Sequence, residues 1–153
     1  SALVVSYLDE ENKRIYIEDE YYKVGMLNNE IADLIQYKNL QKEVIIADSA
    51  EQKSIEEIKR EGVSRIRPAT KGQGSILQGI QKLQQYQLIV NPACRNLIIE
   101  LENYSWKKDK ATNEYVNEPQ DCYNHALDAL RYSIQAQEKK QKIQTISKLG
   151  LGL

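Results

Sequence analysis

The chain has 153 residues and a mass of 17.7 kDa, with 41% hydrophobic and 28% charged residues, which suits one compact domain and excludes a disordered tail. No apolar run approaches the ~18–20 residues of a membrane span, and the opening Ser1-Ala2-Leu3-Val4-Val5 lacks the basic flank of a signal peptide, so no membrane partner is expected. The net charge of -1 hides an asymmetry: residues 1–62 hold 14 of the 22 acids, whereas between Glu61 and Glu100 there is none, and Arg65, Arg67, Lys71, Lys82 and Arg95 give that stretch +5. A polyanion could lie along it.

In chain order, Leu3 to Leu8 and Arg14 to Tyr22 are β-rich runs flanking a polar turn, and Ile15, Ile17 and Tyr21 are taken to alternate inward, so the pair reads as an antiparallel hairpin. With no initiator Met and a β-branched run opening at residue 2, the chain is expected to begin partway along a strand of a larger protein. Asn28 or Asn29 can cap a helix carrying Ile31, Leu34 and Ile35. Glu43 to Asp48 reads as a strand buried on both faces that ends in a carboxylate. Ser49 to Arg60 is a predicted helix stopped by Gly62, and Val63 to Arg67 a strand closed by Pro68.

Ser75 opens a helix with Ile76, Leu77, Ile80 and Leu83 on one face, Leu88 to Val90 is a short strand, and Cys94 to Leu101 a short helix. This alternation of strand and helix predicts a parallel α/β sheet. Glu102 to Trp106 and Glu114 to Val116 flank a basic tip and form a predicted hairpin. Asp121 to Gln137 is the strongest helix, with Ala126, Leu127, Leu130 and Ile134 at helical spacing. Residues 1–137 are expected to form the domain and 138–153 a tail. Cys94 and Cys122 fall in no metal-binding spacing and are expected to be buried free thiols.

A carboxylate at the end of a parallel strand faces the crevice where open α/β sheets hold ligands, and Asp48 has that place, although it could equally cap the following helix. His125 and Asp128, three apart, share one face of the last helix. They could contribute to a metal site, although base rate favours His125 as a hydrogen-bonded surface residue and Asp128 as the salt-bridge partner of Arg131 or of a lysine elsewhere. Oxygen and imidazole ligands from a strand end and a helix match the needs of two-metal phosphodiester cleavage, with the basic stretch holding the phosphates. No GxxxxGK(S/T), GxSxG, HExxH or GxGxxG occurs, which removes P-loop, serine-hydrolase, zincin and dinucleotide-binding readings.

Four ordered segments, Val44 to Glu51, Ser54 to Lys59, Lys71 to Ile80, and His125-Ala126-Leu127-Asp128-Ala129-Leu130-Arg131-Tyr132, resemble the C-terminal nuclease domain of the large terminase subunit of tailed double-stranded DNA phages, over about Leu3 to Ile134. The resemblance implies a ribonuclease-H-like mixed sheet flanked by helices, with an extra β-hairpin before the C-terminal helix. It also implies a Mg2+- or Mn2+-dependent endonuclease, with two ions per site, cutting concatemeric DNA during packaging in the host bacterial cytoplasm.

The family's acidic triad draws on the first strand, a central strand end and the C-terminal helix. Asp48 matches the second position and Asp128 the third, with His125 as a further ligand or proton-transfer group. The first-strand carboxylate is expected to lie before Ser1; Asp19 or Glu20 could replace it only if they face the site. Arg65, Arg67 and Lys71, with Lys107, Lys108 and Lys110 at the hairpin tip, are expected to meet DNA. Implied partners are double-stranded DNA, an upstream ATPase domain of the same polypeptide, the portal protein and the small terminase subunit. Two competing readings are a Holliday-junction resolvase or integrase-like nuclease, and a non-catalytic module docking a motor or portal.

Overall fold

The computed structural model describes residues 1–122 and 124–136; the expected tail over 138–153 and the expected helix end at Gln137 lie outside them. The described chain divides into two units, one made of Ser1–Lys23 and Lys71–Arg131, the other of Val24–Thr70 and residues 132–136.

In the first unit, β1 (Ala2–Asp9) and β2 (Arg14–Tyr22) form the expected antiparallel hairpin, and β5 (Gln87–Val90) adds to β2 in parallel, giving a mixed sheet of order β1-β2-β5. The Asp9 carboxylate ties the turn by accepting from the backbone and side chain of Asn12, bonds that hold its pKa below the usual carboxylate range. Ile15 and Ile17 are fully buried. The pairing then slips: Val5 faces Asp19 but Ser6 faces Ile17, leaving Glu18 as an extra residue in β2. Such a bulge reverses the side-chain alternation beyond it. Glu20 and Tyr22, paired with Val4 and Ala2, therefore share the face of Ile15 and Ile17, and the expected inward Tyr21 falls on the other side.

Helices α3 (Ser75–Leu83) and α4 (Arg95–Asn103) belong to this unit, as does the expected hairpin, formed by β6 (Trp106–Lys108) and β7 (Tyr115–Pro119). Helix α4 runs beyond the expected Leu101, because the Asn103 side chain and the Tyr104 amide satisfy the Ile99 and Glu100 carbonyls at its end. Helix α5 spans residues 125–136 rather than starting at Asp121; its first intrahelical bond runs from the Asp128 amide to Asn124. Leu97 and Leu130 are fully buried. Cys94 is the expected buried thiol, but Cys122 is exposed.

In the second unit, β3 (Ile45–Ala47) and β4 (Ile66–Pro68) pair in parallel as a separate two-stranded ladder, so the three strands expected in one parallel sheet are not hydrogen-bonded together: β5 joins β2 instead. Strand β3 is half-buried, not buried on both faces. Helix α1 (Asn28–Tyr37) is capped by neither Asn28 nor Asn29; Glu30 reaches back to the Leu27 amide at 2.7 Å, and the Asn28 side chain donates to Glu57. Helix α2 (Gln52–Arg60) follows a short 3-10 turn at Ser49–Glu51. It ends as expected at Gly62, whose φ of +100° lets the Gly62 and Val63 amides bond back to Lys59 and Ile58. Ile35, Ile55, Ile58, Val63 and Ile66 form the core of this unit.

Candidate functional site

Two carboxylates set the position of the helix that carries the HxxD pair. Glu20, turned inward by the bulge in β2, accepts from the Asn96 and Leu97 amides at 2.8 and 2.9 Å and so caps the N-terminus of α4. With the Asn96 side chain also donating to it, that duty takes three of its acceptor positions and makes it an anchor of α4. One step on, Glu100 of α4, only 5% exposed, accepts from the Leu127 amide at 2.8 Å in the first turn of α5. A helix N-terminus offers unpaired amides and a positive dipole end, so a buried carboxylate is stabilised there. Burial, followed by the charges of Glu100 and Glu20, pushes the Tyr22 phenol up. The sheet thus fixes α4, and α4 fixes the start of α5.

His125 is exposed at that start, its ring 6.2 Å from the Tyr22 ring. Asp128, one turn further, is half-buried and accepts at Oδ1 from Arg131 Nη2 at 2.9 Å. The Arg131 partnership weighed from the sequence is therefore present. It does not exhaust Asp128, because a carboxylate offers about four acceptor positions. Tyr104 lies in the same neighbourhood, its phenol pushed up by burial and next by the Asp128 charge.

Asp48 stands in the second unit, exposed at the end of β3. Its Oδ1 accepts from the Ala50 amide at 2.8 Å, so the capping role weighed for it is real and, by the same lone-pair count, leaves ligation open. Arg65 and Arg67 are in this unit too, with Arg65 donating to the Lys42 carbonyl at 3.0 Å. Lys71 is in the first unit, exposed ahead of α3.

In the β6–β7 hairpin Lys107 and Lys108 are exposed: Lys107 stands 3.5 Å from Glu118, and the Lys108 ammonium sits 4.8 Å over the Tyr115 ring. Asp109 orders the tip beside Lys110 by accepting from the Ala111 and Thr112 amides. Trp106 and Tyr115 are also exposed, which places aromatic faces beside the lysines.

The terminase RNase H-like domain family matches residues 1–136. The chain belongs to that family. It is 33% identical over 142 residues to the terminase large subunit of Bacillus phage SPP1, and 33% identical over 153 residues to the PBSX phage terminase large subunit of Bacillus subtilis. These matches cover 91% and 97% of this chain but only 33% and 34% of those proteins, so the chain spans about one third of the length of these curated relatives. In structure it is similar to the crystallised nuclease domain of the SPP1 large terminase, solved with bound Mn, at a TM-score of 0.82 and 31% identity over 88% of this chain and 77% of that one. The large terminase of a thermophilic bacteriophage shares the fold, at a TM-score of 0.65 and 22% identity over 86% of this chain and 35% of that one. The expected ribonuclease-H-like class and the terminase resemblance are both borne out.

Within this terminase domain, carboxylate oxygens are the donor type that suits Mg2+ or Mn2+. Among the described residues no group of three or more His, Cys, Asp or Glu side chains could hold an ion by itself. That is compatible with Mg2+, which is commonly held by one or two carboxylates while waters and substrate phosphates complete its shell. Among the described residues, no helix is long and apolar enough to cross a membrane. Sequence reasoning missed Glu100, Glu20 as a cap, and Arg131 as more than a surface partner. For Glu100 and Arg131 the only signal was an acid or base placed in an otherwise apolar helical face; Glu20, on strand β2, carried none.

Proposed function

We propose that the chain is the nuclease domain of a phage large terminase and that it cuts concatemeric double-stranded DNA during genome packaging, with Asp48 and Asp128 as ligands of Mg2+ or Mn2+. The observation that carries this reading is the likeness, at 31% identity, to the SPP1 nuclease domain with bound Mn, joined to the HxxD pair on α5. When bound, two ions would supply Lewis acidity to phosphodiester hydrolysis. Asp128, held by Arg131, offers hard oxygen ligation from a fixed helix, and Asp48 offers the same from a strand end. His125, exposed one turn from Asp128, would accept and return a proton at an imidazole nitrogen.

Arg65, Arg67, Lys71, Lys107 and Lys108 would hold the DNA backbone. Each phosphate that is no longer neutralised should flatten the slope of log affinity against log salt by about 0.9 for duplex DNA. Removing the charges of Arg65, Arg67 and Lys71 together is expected to flatten it by about 2–3, read by fluorescence anisotropy across a salt series. An unchanged slope would remove these residues from the DNA surface.

The reading extends to an ATPase domain in the same polypeptide, to the portal protein and small terminase subunit as partners, and to the host bacterial cytoplasm as the place of action. The test is cleavage of linear and four-way-branched duplexes by the full-length protein with Mn2+ or Mg2+. Cutting of linear duplex that stops on adding EDTA is the expected result. Preference for the branched substrate would instead favour a resolvase, and neither cutting nor Mn2+ binding would favour a docking module.

A further inference from the structure

We propose that Arg131 is a positioning residue that holds the Asp128 carboxylate in its ligating orientation, and that residue 79 is glycine because the Arg131 side chain lies across α3 at that point. The inference rests on the proposed role of Asp128 as a metal ligand. Gly79 sits inside α3, where glycine is a poor helix former, and its backbone does not adopt the left-handed φ that would require it. The reason is space. A Cβ at residue 79 would stand 2.4 Å from Arg131 Cδ and 2.5 Å from Cγ, with Nη1 at 3.5 Å. Contacts below 3.0 Å cannot be kept, so any larger residue must displace the arginine.

That arginine is an unusual tenant of its helix. Its side chain is 4% exposed, on a stretch whose neighbours Leu127 and Leu130 are buried and apolar. A buried guanidinium needs a partner, and Nη2 donates to Asp128 Oδ1, one turn back on α5. The methylenes are confined by the α3 backbone at Gly79, and the planar, permanently charged head then restricts rotation of the carboxylate it holds. Hydrogen bonds of this kind to a ligating carboxylate orient it for the ion. Lysine keeps the charge but lacks the fork, so Arg131→Lys is not conservative here.

The test is calorimetric titration of the full-length protein with Mn2+, alongside thermal unfolding of the same samples. Asp128→Asn examines the underlying reading; Arg131→Lys and Gly79→Ala examine the inference without touching a ligand. Both are expected to weaken Mn2+ binding by roughly 10- to 100-fold, the usual range for residues behind a metal ligand. Because they act through one contact, the double variant should bind Mn2+ no more weakly than the weaker-binding single variant. If Asp128→Asn weakens binding while Arg131→Lys and Gly79→Ala lower only the unfolding temperature, Arg131 is structural and the inference is overturned alone. If Asp128→Asn leaves binding intact, the metal-ligand reading fails, and the inference fails with it.

Discussion

Asp128→Asn and Asp48→Asn, each made singly in the full-length protein, are expected to reduce DNA cleavage by about a thousandfold or more while leaving the fold in place. The substitution keeps shape and removes the charge. A hard divalent cation bound by an anionic oxygen contributes several kcal/mol of transition-state stabilisation, and ~4 kcal/mol corresponds to roughly a thousandfold in rate. The structural cost should be small at residue 48, because Asn also serves as a cap and its oxygen can still accept from Ala50. At residue 128 the carboxamide oxygen can still accept from Arg131, but the buried guanidinium loses the Asp128 countercharge, so a stability cost of up to about 3–5 kcal/mol is expected there beside the loss of cleavage. Cleavage rates measured beside urea unfolding separate the two effects. Full activity in both variants would reduce these carboxylates to a helix cap and a salt-bridge partner.

The opposite signature is expected of Leu130→Ala. Leu130 lies between Asp128 and Arg131 in sequence and is fully buried, so truncation leaves a cavity in a part of α5 already held by Glu100 at its start. Leu-to-Ala changes at such sites cost about 2–5 kcal/mol, read from the shift in urea midpoint at unchanged slope. Metal binding measured well below that midpoint should weaken far less than in Asp128→Asn. A cost under about 1 kcal/mol would show that the site collapses around the smaller side chain and that α5 is less tightly packed than its burial indicates.

Much of the fold is local physics, and that part is legible in the chain. The β1–β2 hairpin follows from two β-rich runs around a polar turn, α2 from its periodicity and Gly62, and α3 from its apolar stripe. What escaped reading is what one part of the chain does to a distant part. The slip at Glu18 leaves no local mark, yet it decides that Glu20 and not Tyr21 faces inward. The start of α5 is set in part by Glu100, 27 residues away, so apolar spacing alone places it too early, at Asp121. The Leu27 amide at the start of α1 is capped by Glu30 from within the helix, and the asparagine chosen from the sequence is bonded to Glu57 instead.

The candidate site divides along the same line. Asp48, His125 and Asp128 are visible because ordered motifs carry them, and their capping and salt-bridge partners were foreseeable as neighbours within three residues. Gly79 and Arg131 lie 52 positions apart, and only the packed structure makes one the reason for the other. The affinity of β5 for β2 is likewise a long-range choice. Alternating strands and helices announce a parallel pairing but not which partner each strand takes, and the parallel neighbour of β5 comes from the opening hairpin.

Asp48 and Asp128 are both proposed ligands of Mg2+ or Mn2+. Anomalous diffraction at the manganese edge, from crystals of the full-length protein soaked in Mn2+, tests that assignment most directly. Manganese bonded to carboxylate oxygens of both residues, within about 2–2.5 Å as hard cations require, is the predicted result. Manganese bound elsewhere, or held by one of the two and not the other, would contradict it.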